Sequence, residues 1–243
     1  MTPDVRVCAD AGDLSQRAAQ AVAGVIVDAV AAAGRCSLLL SGGTTPRALY
    51  GVLASRFGDR IPWGDVHVFW GDERYVPSDD PQSNYRMAKE TLLDHVPCPA
   101  ANVHPMPTHF ADPEAAARDY EATLRREFAG EWPRFDLVLL GLGPDGHTAS
   151  LFPGSPALDE QVRWVRAVTV PAIPTLRLTI TLPVFARSAN TYFLVVWSAK
   201  ADALSRVLAR SVDPKMCPAA AIKPTGGALV WWIDSTAARE LNR

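Results

Sequence analysis

With 243 residues, 48% hydrophobic and 21% charged, the chain has the composition of a folded globular protein rather than a disordered or low-complexity one. Its formal net charge of -2 gives no general attraction to nucleic acid or to an anionic membrane surface, so any anionic ligand must be held by local positive groups. Cys8, Cys36, Cys98 and Cys217 lie far apart and form no CxxC pair, which argues against a cysteine zinc site and a disulfide framework and predicts reduced, mostly buried thiols.

The opening MTPDVRVCADAGD has no basic segment followed by an apolar one, and no run of about 18 apolar residues occurs anywhere, so a cytoplasmic protein without membrane contact is expected. Val5 to Ala9 reads as a short edge strand. Leu14, Ala18, Val22, Val25, Ile26, Ala29 and Val30 recur at helical spacing and predict a helix over Asp13 to Ala33, stopped by Gly34. The apolar run Ser37 to Leu40 predicts a strand that leads directly into Ser41, Gly42, Gly43, Thr44, Thr45 and Pro46, with a helix following over Arg47 to Ser55. Strand, glycine-rich loop and helix start together make a site for an anion or a developing oxyanion, although an ordinary capped turn has the same residues. The loop is neither GxGxxG nor GxxxxGK[ST], which speaks against a dinucleotide or a nucleoside triphosphate.

Val66 to Trp70 is the next predicted strand, with Gly71, Asp72, Glu73 and Arg74 at its end. Arg74 suits a phosphate or sugar oxygen, and Asp72 suits sugar hydroxyls or the orientation of a base; a salt-bridged surface cluster is the plainer alternative. The polar VPSDDPQSNYR is expected to be a loop over the crevice, closed by a helix from about Asn84 to His95. Pro97 to Ala111 reads as irregular, with His104 and His109 as loop residues that form no metal-ligand pattern. Asp112 caps a helix with Pro113 in its first turn. Ala116, Tyr120, Leu124 and Phe128 form its apolar face, and Arg118, Glu121, Arg125, Arg126 and Glu127 form a solvated outer face.

The segment Phe135 to Pro156, FDLVLLGLGPDGHTASLFPGSP, organises the chain. Its apolar LVLL predicts a strand buried on both faces, and chemistry gathers at the carboxyl ends of such strands. Gly146 lets the backbone bend so that Asp145 and His147 point into one crevice, a general-base arrangement. A turn-initiating Asp145 beside a His147 at a helix start is the alternative. Three more strands are expected at Trp164 to Val170, Leu176 to Leu182 and Thr191 to Trp197. Arg177 is a phosphate candidate by charge in the second of them, unless it is a solvent-facing strand-end arginine. Ser198 starts a helix with Lys200 in its first turn, where a cation gains nothing from the helix dipole; a bound anion there would explain it. Ala228 to Asp234 is an apolar strand with Trp231 and Trp232 assigned to packing, followed by a closing helix to Leu241. The alternation of strands and helices, without a linker, predicts a single domain over residues 1–243: an α/β sandwich with a mostly parallel sheet and helices on both faces.

GLGPDGHTASLFPG resembles the signature of the 6-phosphogluconolactonases, and SGGTTPRALY, FWGDERYVPSDDPQSNYRMAKETLL and RLTITLP resemble that family in the expected order. The resemblance implies a modified Rossmann-like three-layer fold, shared with glucosamine-6-phosphate deaminases. It also implies hydrolysis of 6-phospho-D-glucono-1,5-lactone without metal or other cofactor, with His147 as general base beside Asp145. Arg74, Arg177 and Lys200 match positions expected to hold phosphate or substrate, and Ser41 to Thr44 would line the same pocket. The expected partner is thus a small phosphorylated sugar lactone, bound by a monomer or small homo-oligomer. No GxSxG elbow occurs, so no acyl-enzyme is indicated. Two alternatives are an amino-sugar phosphate deaminase and a sugar-phosphate sensor without turnover. The deaminases resemble this chain but carry a Glu five residues beyond the His, where this sequence has Phe152. A sensor would need an attached DNA-binding module, for which neither a spare segment nor a basic face is present. A glycine is expected near Lys200, and Trp197, Ser198 and Ala199 stand there instead.

Overall fold

Asp10 begins the first helix by accepting the Asp13 N–H at 2.8 Å, and Gly34, at φ 72°, ends it in the left-handed region that favours glycine. The computed structural model describes residues 4–170, 173–209 and 211–241. In chain order the elements are β1 (Asp4–Cys8), α1 (Ala11–Ala33), β2 (Cys36–Leu40), α2 (Thr44–Phe57), β3 (Val66–Trp70), β4 (Asp72–Arg74), α3 (Asn84–Thr91), β5 (Val103–His104) and α4 (Pro113–Glu127). They continue with β6 (Leu137–Gly141), β7 (Val165–Val170), β8 (Ile173–Ile180), α5 (Leu182–Phe185), β9 (Asn190–Val195), α6 (Ala201–Leu208) and β10 (Ala228–Asp234).

Seven strands form one sheet in the order β1-β10-β9-β6-β2-β3-β5, with every pairing parallel. All residues of β2 are buried. Because successive side chains alternate across a strand, both faces of the sheet are covered there, which is why CSLLL is apolar without alternation. Leu38, Leu39 and Leu40 are fully buried, and each such burial is worth roughly 1.5–3 kcal/mol. From β2 the chain builds outward through β3 and β5; from β6 it builds the other way through β9 and β10. The order reverses between β2 and β6, so the loops leaving these two strands open a crevice at the topological switch point.

β4, β8 and β7 form a separate three-stranded antiparallel sheet. Arg177–Ile180 of RLTITLP, a segment expected to be a strand, lie in its strand β8. That strand pairs back on the DER segment, and the short β7–β8 link favours an antiparallel partner over a crossover. Several expectations are corrected. The helix expected to His95 ends at Thr91, with a 3-10 turn at Leu93–His95. The closing segment is only a 3-10 turn, Ala237–Glu240, and Ser198–Lys200 is a 3-10 turn before α6.

His104 is a buried strand residue rather than a loop residue, and Glu121 is not on a solvated face. Its carboxylate is buried and accepts from Arg125, Arg163 and the Trp164 N–H, so it ties α4 to the start of β7. Cys98 is half-buried, unlike the other three free thiols. Trp231 and Trp232 are both buried, Trp231 stacked on Phe193. No helix among the described residues is long and apolar enough to cross a membrane.

Candidate active site

The turn after β6 is built by its glycines. Gly146 sits at φ 90°, and Gly143 N–H donates to the His147 carbonyl at 2.8 Å, folding the turn back on itself. The imidazole then lies directly over Gly143: a Cβ there would stand 2.0 Å from His147 Nδ1, so no larger residue fits. Asp145 Oδ1 accepts the His147 N–H at 3.1 Å and lies 2.5 Å from His147 Nδ1. An ionised carboxylate only accepts, so Nδ1 carries the proton and Nε2 is left with its lone pair free. Burial would raise the Asp145 pKa, but the His147 charge and hydrogen bonds from His147 hold it below the usual value. From behind, Ala219 N–H donates to the Gly146 carbonyl and Arg206 to the Pro144 carbonyl, at 3.0 and 3.2 Å. The His147 side chain is 27% exposed, enough for water to reach it.

A second group of side chains arises from the pairing of β4 with β8. Arg74 lies directly opposite Arg177, and Asp72 opposite Thr179. Like charges facing each other across a ladder oppose pairing, so the two guanidinium groups in register concentrate positive charge at this point. The Nε atoms of both arginines are buried without a partner. Burial lowers the Arg177 pKa; Asp72 Oδ2, 3.9 Å away, counters this, and Arg74 lowers it further. Asp72 also accepts from Ser150 Oγ at 2.7 Å, which ties the β4 strand to the segment three residues past His147. Its contacts are with Ser150, Asn84 and Arg177 rather than with His147. Phe152 joins the two groups: its ring lies 4.3 Å from that of His147, and the Arg177 guanidinium stands over it at 5.6 Å.

The third group is the glycine-rich loop. Gly43, at φ 107°, precedes α2 and gives it no side-chain cap, so the first N–H groups of that helix keep their donors free. A groove of about 130 Å³ is lined by Gly42, Gly43, Thr44, Gly141, Trp197 and Lys200, among others. Ser41 is outside this lining, but its hydroxyl is buried without a partner. Burial lowers the Lys200 pKa against the opposing pull of Asp145, and among the described residues no carboxylate lies within ion-pair distance of Lys200. Trp197, in the stretch where a glycine was expected near Lys200, takes φ 76°, in the left-handed region that favours glycine. A larger open cleft, about 770 Å³, lies beyond Glu73 between the loop 77–83 and residues 105–109; none of His147, Arg177 and Lys200 lines it.

Reading residues one by one missed Glu73, Ser150 and Gly143. Glu73 is 2% exposed and accepts the N–H groups of Arg74, Asn84 and Tyr85 and the Ser83 hydroxyl, which fixes the loop that Arg74 reaches with its bond to the Gln82 carbonyl. Its charge beside Asp72 and Arg74 was visible in the sequence; its inward direction follows from strand alternation, once DER is known to be a strand.

A parallel sheet with an acid–imidazole turn at its switch point, and a small antiparallel sheet whose Arg177 reaches Phe152 beside that turn, define a class of small-molecule site in an α/β fold. The family described as "Glucosamine-6-phosphate isomerases/6-phosphogluconolactonase" matches residues 9–231, and the chain belongs to it. Among its relatives, the 6-phosphogluconolactonase of Synechocystis sp. is 46% identical over 244 residues, covering 99% of each chain. The solved 6-phosphogluconolactonase of Trypanosoma brucei superposes with a TM-score of 0.86 at 27% identity, covering 98% of both chains. A monomeric glucosamine-6-phosphate deaminase shares the fold, at TM-score 0.82 and 24% identity over 98% of this chain and 99% of that one.

Proposed function

We propose that this chain hydrolyses 6-phospho-D-glucono-1,5-lactone to 6-phosphogluconate in the oxidative pentose phosphate pathway. The observation that carries the reading is that His147 and Arg177 both lie against the Phe152 ring, which sets a base and a cation beside one side chain. His147 Nε2 takes a proton from water as its oxygen attacks the lactone carbonyl. The imidazolium is stabilised by Asp145, and the charge on the tetrahedral oxygen is met by nearby N–H donors and cations. Collapse breaks the bond from the carbonyl carbon to the ring oxygen, which receives the proton back from His147. We assign the phosphate to the groove of Gly42, Gly43, Thr44 and Lys200, where free helix N–H groups and an ammonium converge, with Ser41 beside it. Arg74, held by the Gln82 carbonyl, and Arg177, facing Asp72 at 3.9 Å, then stand at the lactone end. A lactone is activated enough that a positioned base and charge stabilisation suffice, so this reading routes no step through a metal.

Phe152 also supports hydrolysis over ring-opening isomerisation. The latter needs a further proton-transfer group near the base, and an aromatic ring lies against His147 here. The test is an assay with lactone generated in place, read as 6-phosphogluconate formed above the spontaneous rate. His147→Ala is expected to lower kcat by about 10² to 10⁴-fold with folding intact. Near-normal turnover in that variant would remove the base assignment, and absence of turnover in the wild type would remove the reading.

A further inference from the structure

At the other end of β3, three side chains that play no part in this chemistry converge. His67 is the second residue of β3, three positions before its end, roughly 10 Å upstream along an extended strand. His104 ends β5 on the neighbouring strand, opposite Phe69, and Glu127 is the last residue of α4. Tyr120 holds α4 against both strands, accepting from the Trp70 N–H and donating to the His104 carbonyl. His67 Nδ1 lies 3.3 Å from His104 Nε2 and 3.6 Å from Glu127 Oε2, and His104 Nε2 lies 3.9 Å from the same oxygen.

A single point lies roughly 2.1 Å from all three atoms, which is the bond length of zinc to imidazole nitrogen and carboxylate oxygen. We propose that His67, His104 and Glu127 form a binding site for one divalent transition-metal ion of the zinc type, with solvent completing its coordination. Two imidazoles and one carboxylate are a donor set that suits zinc and its neighbours better than calcium or magnesium, which prefer oxygen alone. The side chains are 21%, 7% and 16% exposed, so the site is open on one side and walled on the other. The buried wall is aromatic: the His104 ring stacks on Phe69 at 4.5 Å.

The carboxyl end of α4 adds a negative field that favours a cation. Arg35 works against it. Its Nη2 stands 3.8 Å from Glu127 Oε2, and its Nη1 donates to the Glu127 carbonyl, so it competes for the carboxylate and weakens the metal. The ion would pin two neighbouring strands to a helix end, a structural cross-link far from the proposed chemistry. The expectation of no metal pattern came from His104 and His109; the partners of His104 lie 37 residues before it and 23 after, a spacing that matches no short motif.

The test is titration of the chelator-treated protein with Co²⁺, followed by its visible absorption, and then displacement by Zn²⁺. Wild type is expected to take one equivalent, with the intense bands of a low-coordinate nitrogen and oxygen site, and to melt at higher temperature when loaded. His67→Ala and the isosteric Glu127→Gln should each weaken Co²⁺ more than the 10 to 100-fold typical of losing an outer partner, roughly 100-fold or beyond, with unchanged far-ultraviolet dichroism. Arg35→Gln should tighten it. Absence of bands in the wild type, or bands that persist in both ligand variants, would overturn the proposal and leave His67 and His104 as a hydrogen-bonded pair only. Because binding is read by absorption, a failure of the lactonase reading would not touch this result.

Discussion

The two faces of the three-residue strand β4 serve opposite ends. Glu73 points inward and is saturated: each of its oxygens accepts two hydrogen bonds, from the Arg74 and Asn84 N–H groups on one and from Ser83 Oγ and the Tyr85 N–H on the other. Asp72 and Arg74 point the other way, where Arg74 meets Arg177 across the ladder and both keep an unpartnered Nε. A buried charge whose bonding is complete holds the fold, whereas buried cations with unpartnered donors have hydrogen bonds still to give. The same alternation of side chains separates the two roles within about 7 Å of chain.

The largest effect expected from breaking this contrast lies on the inward face. Glu73→Ala leaves four donors facing a void, at about 1–3 kcal/mol for each that finds no water, so a loss of about 3 kcal/mol or more is expected in denaturant melts. A loss within 1 kcal/mol would show that the loop 77–83 is held by something other than this carboxylate.

On the outward face the order of effects reverses. Arg177→Ala should cost less stability than Glu73→Ala, because it relieves the opposition to Arg74 and the Asp72 carboxylate it leaves keeps its bonds from Ser150 Oγ and Asn84 Nδ2. It should cost about 10 to 100-fold in kcat/KM, the worth of one charge-assisted hydrogen bond of about 1.5–3 kcal/mol. Steady-state kinetics beside thermal melts separate the two quantities. A variant that lost stability but kept kcat/KM would place Arg177 with Glu73 as a structural residue.

Legibility in the sequence divides along similar lines. Val66–Trp70 and Ala228–Asp234 were readable to the residue because each is a mainly apolar run, VHVFW and ALVWWID, that follows or precedes glycine. The residues of the glycine-rich loop, the DER segment and the DGH turn stood out because strand ends with polar clusters point to chemistry. The pairing of Arg74 with Arg177 did not, since the two lie about a hundred positions apart and register across a sheet leaves no local trace. For the same reason Glu121 looked like a surface charge: its helix position was clear, but Arg163 and the Trp164 N–H come from another part of the chain. Gly143 was visible as a glycine, yet its need to be one depends on where the His147 ring comes to rest.

A second, partly buried carboxylate sharpens the comparison further. Glu160, like Glu73, accepts neighbouring backbone N–H groups, here from Val162 and Arg163 at 2.8 and 3.0 Å, together with the Arg166 guanidinium at 2.6 Å. The two acids nevertheless shift in opposite directions. Burial dominates at Glu73 and raises its pKa, whereas the hydrogen bonds dominate at Glu160 and lower it to about 2. With a folded value below the unfolded one, Glu160 contributes stability that is present above about 4.5 and is lost as pH falls toward 2. Glu73 works the other way, since its folded form takes up a proton first and gains relative stability on acidification. Glu160→Gln should therefore cost about 1 kcal/mol at pH 7 and progressively less in urea melts at pH 4 and pH 3, converging on wild type near pH 2. A difference that stays constant with pH would mean that the N–H groups of Val162 and Arg163 hold the Gln as well as the carboxylate. The turn before β7 would then owe its order to geometry rather than to charge.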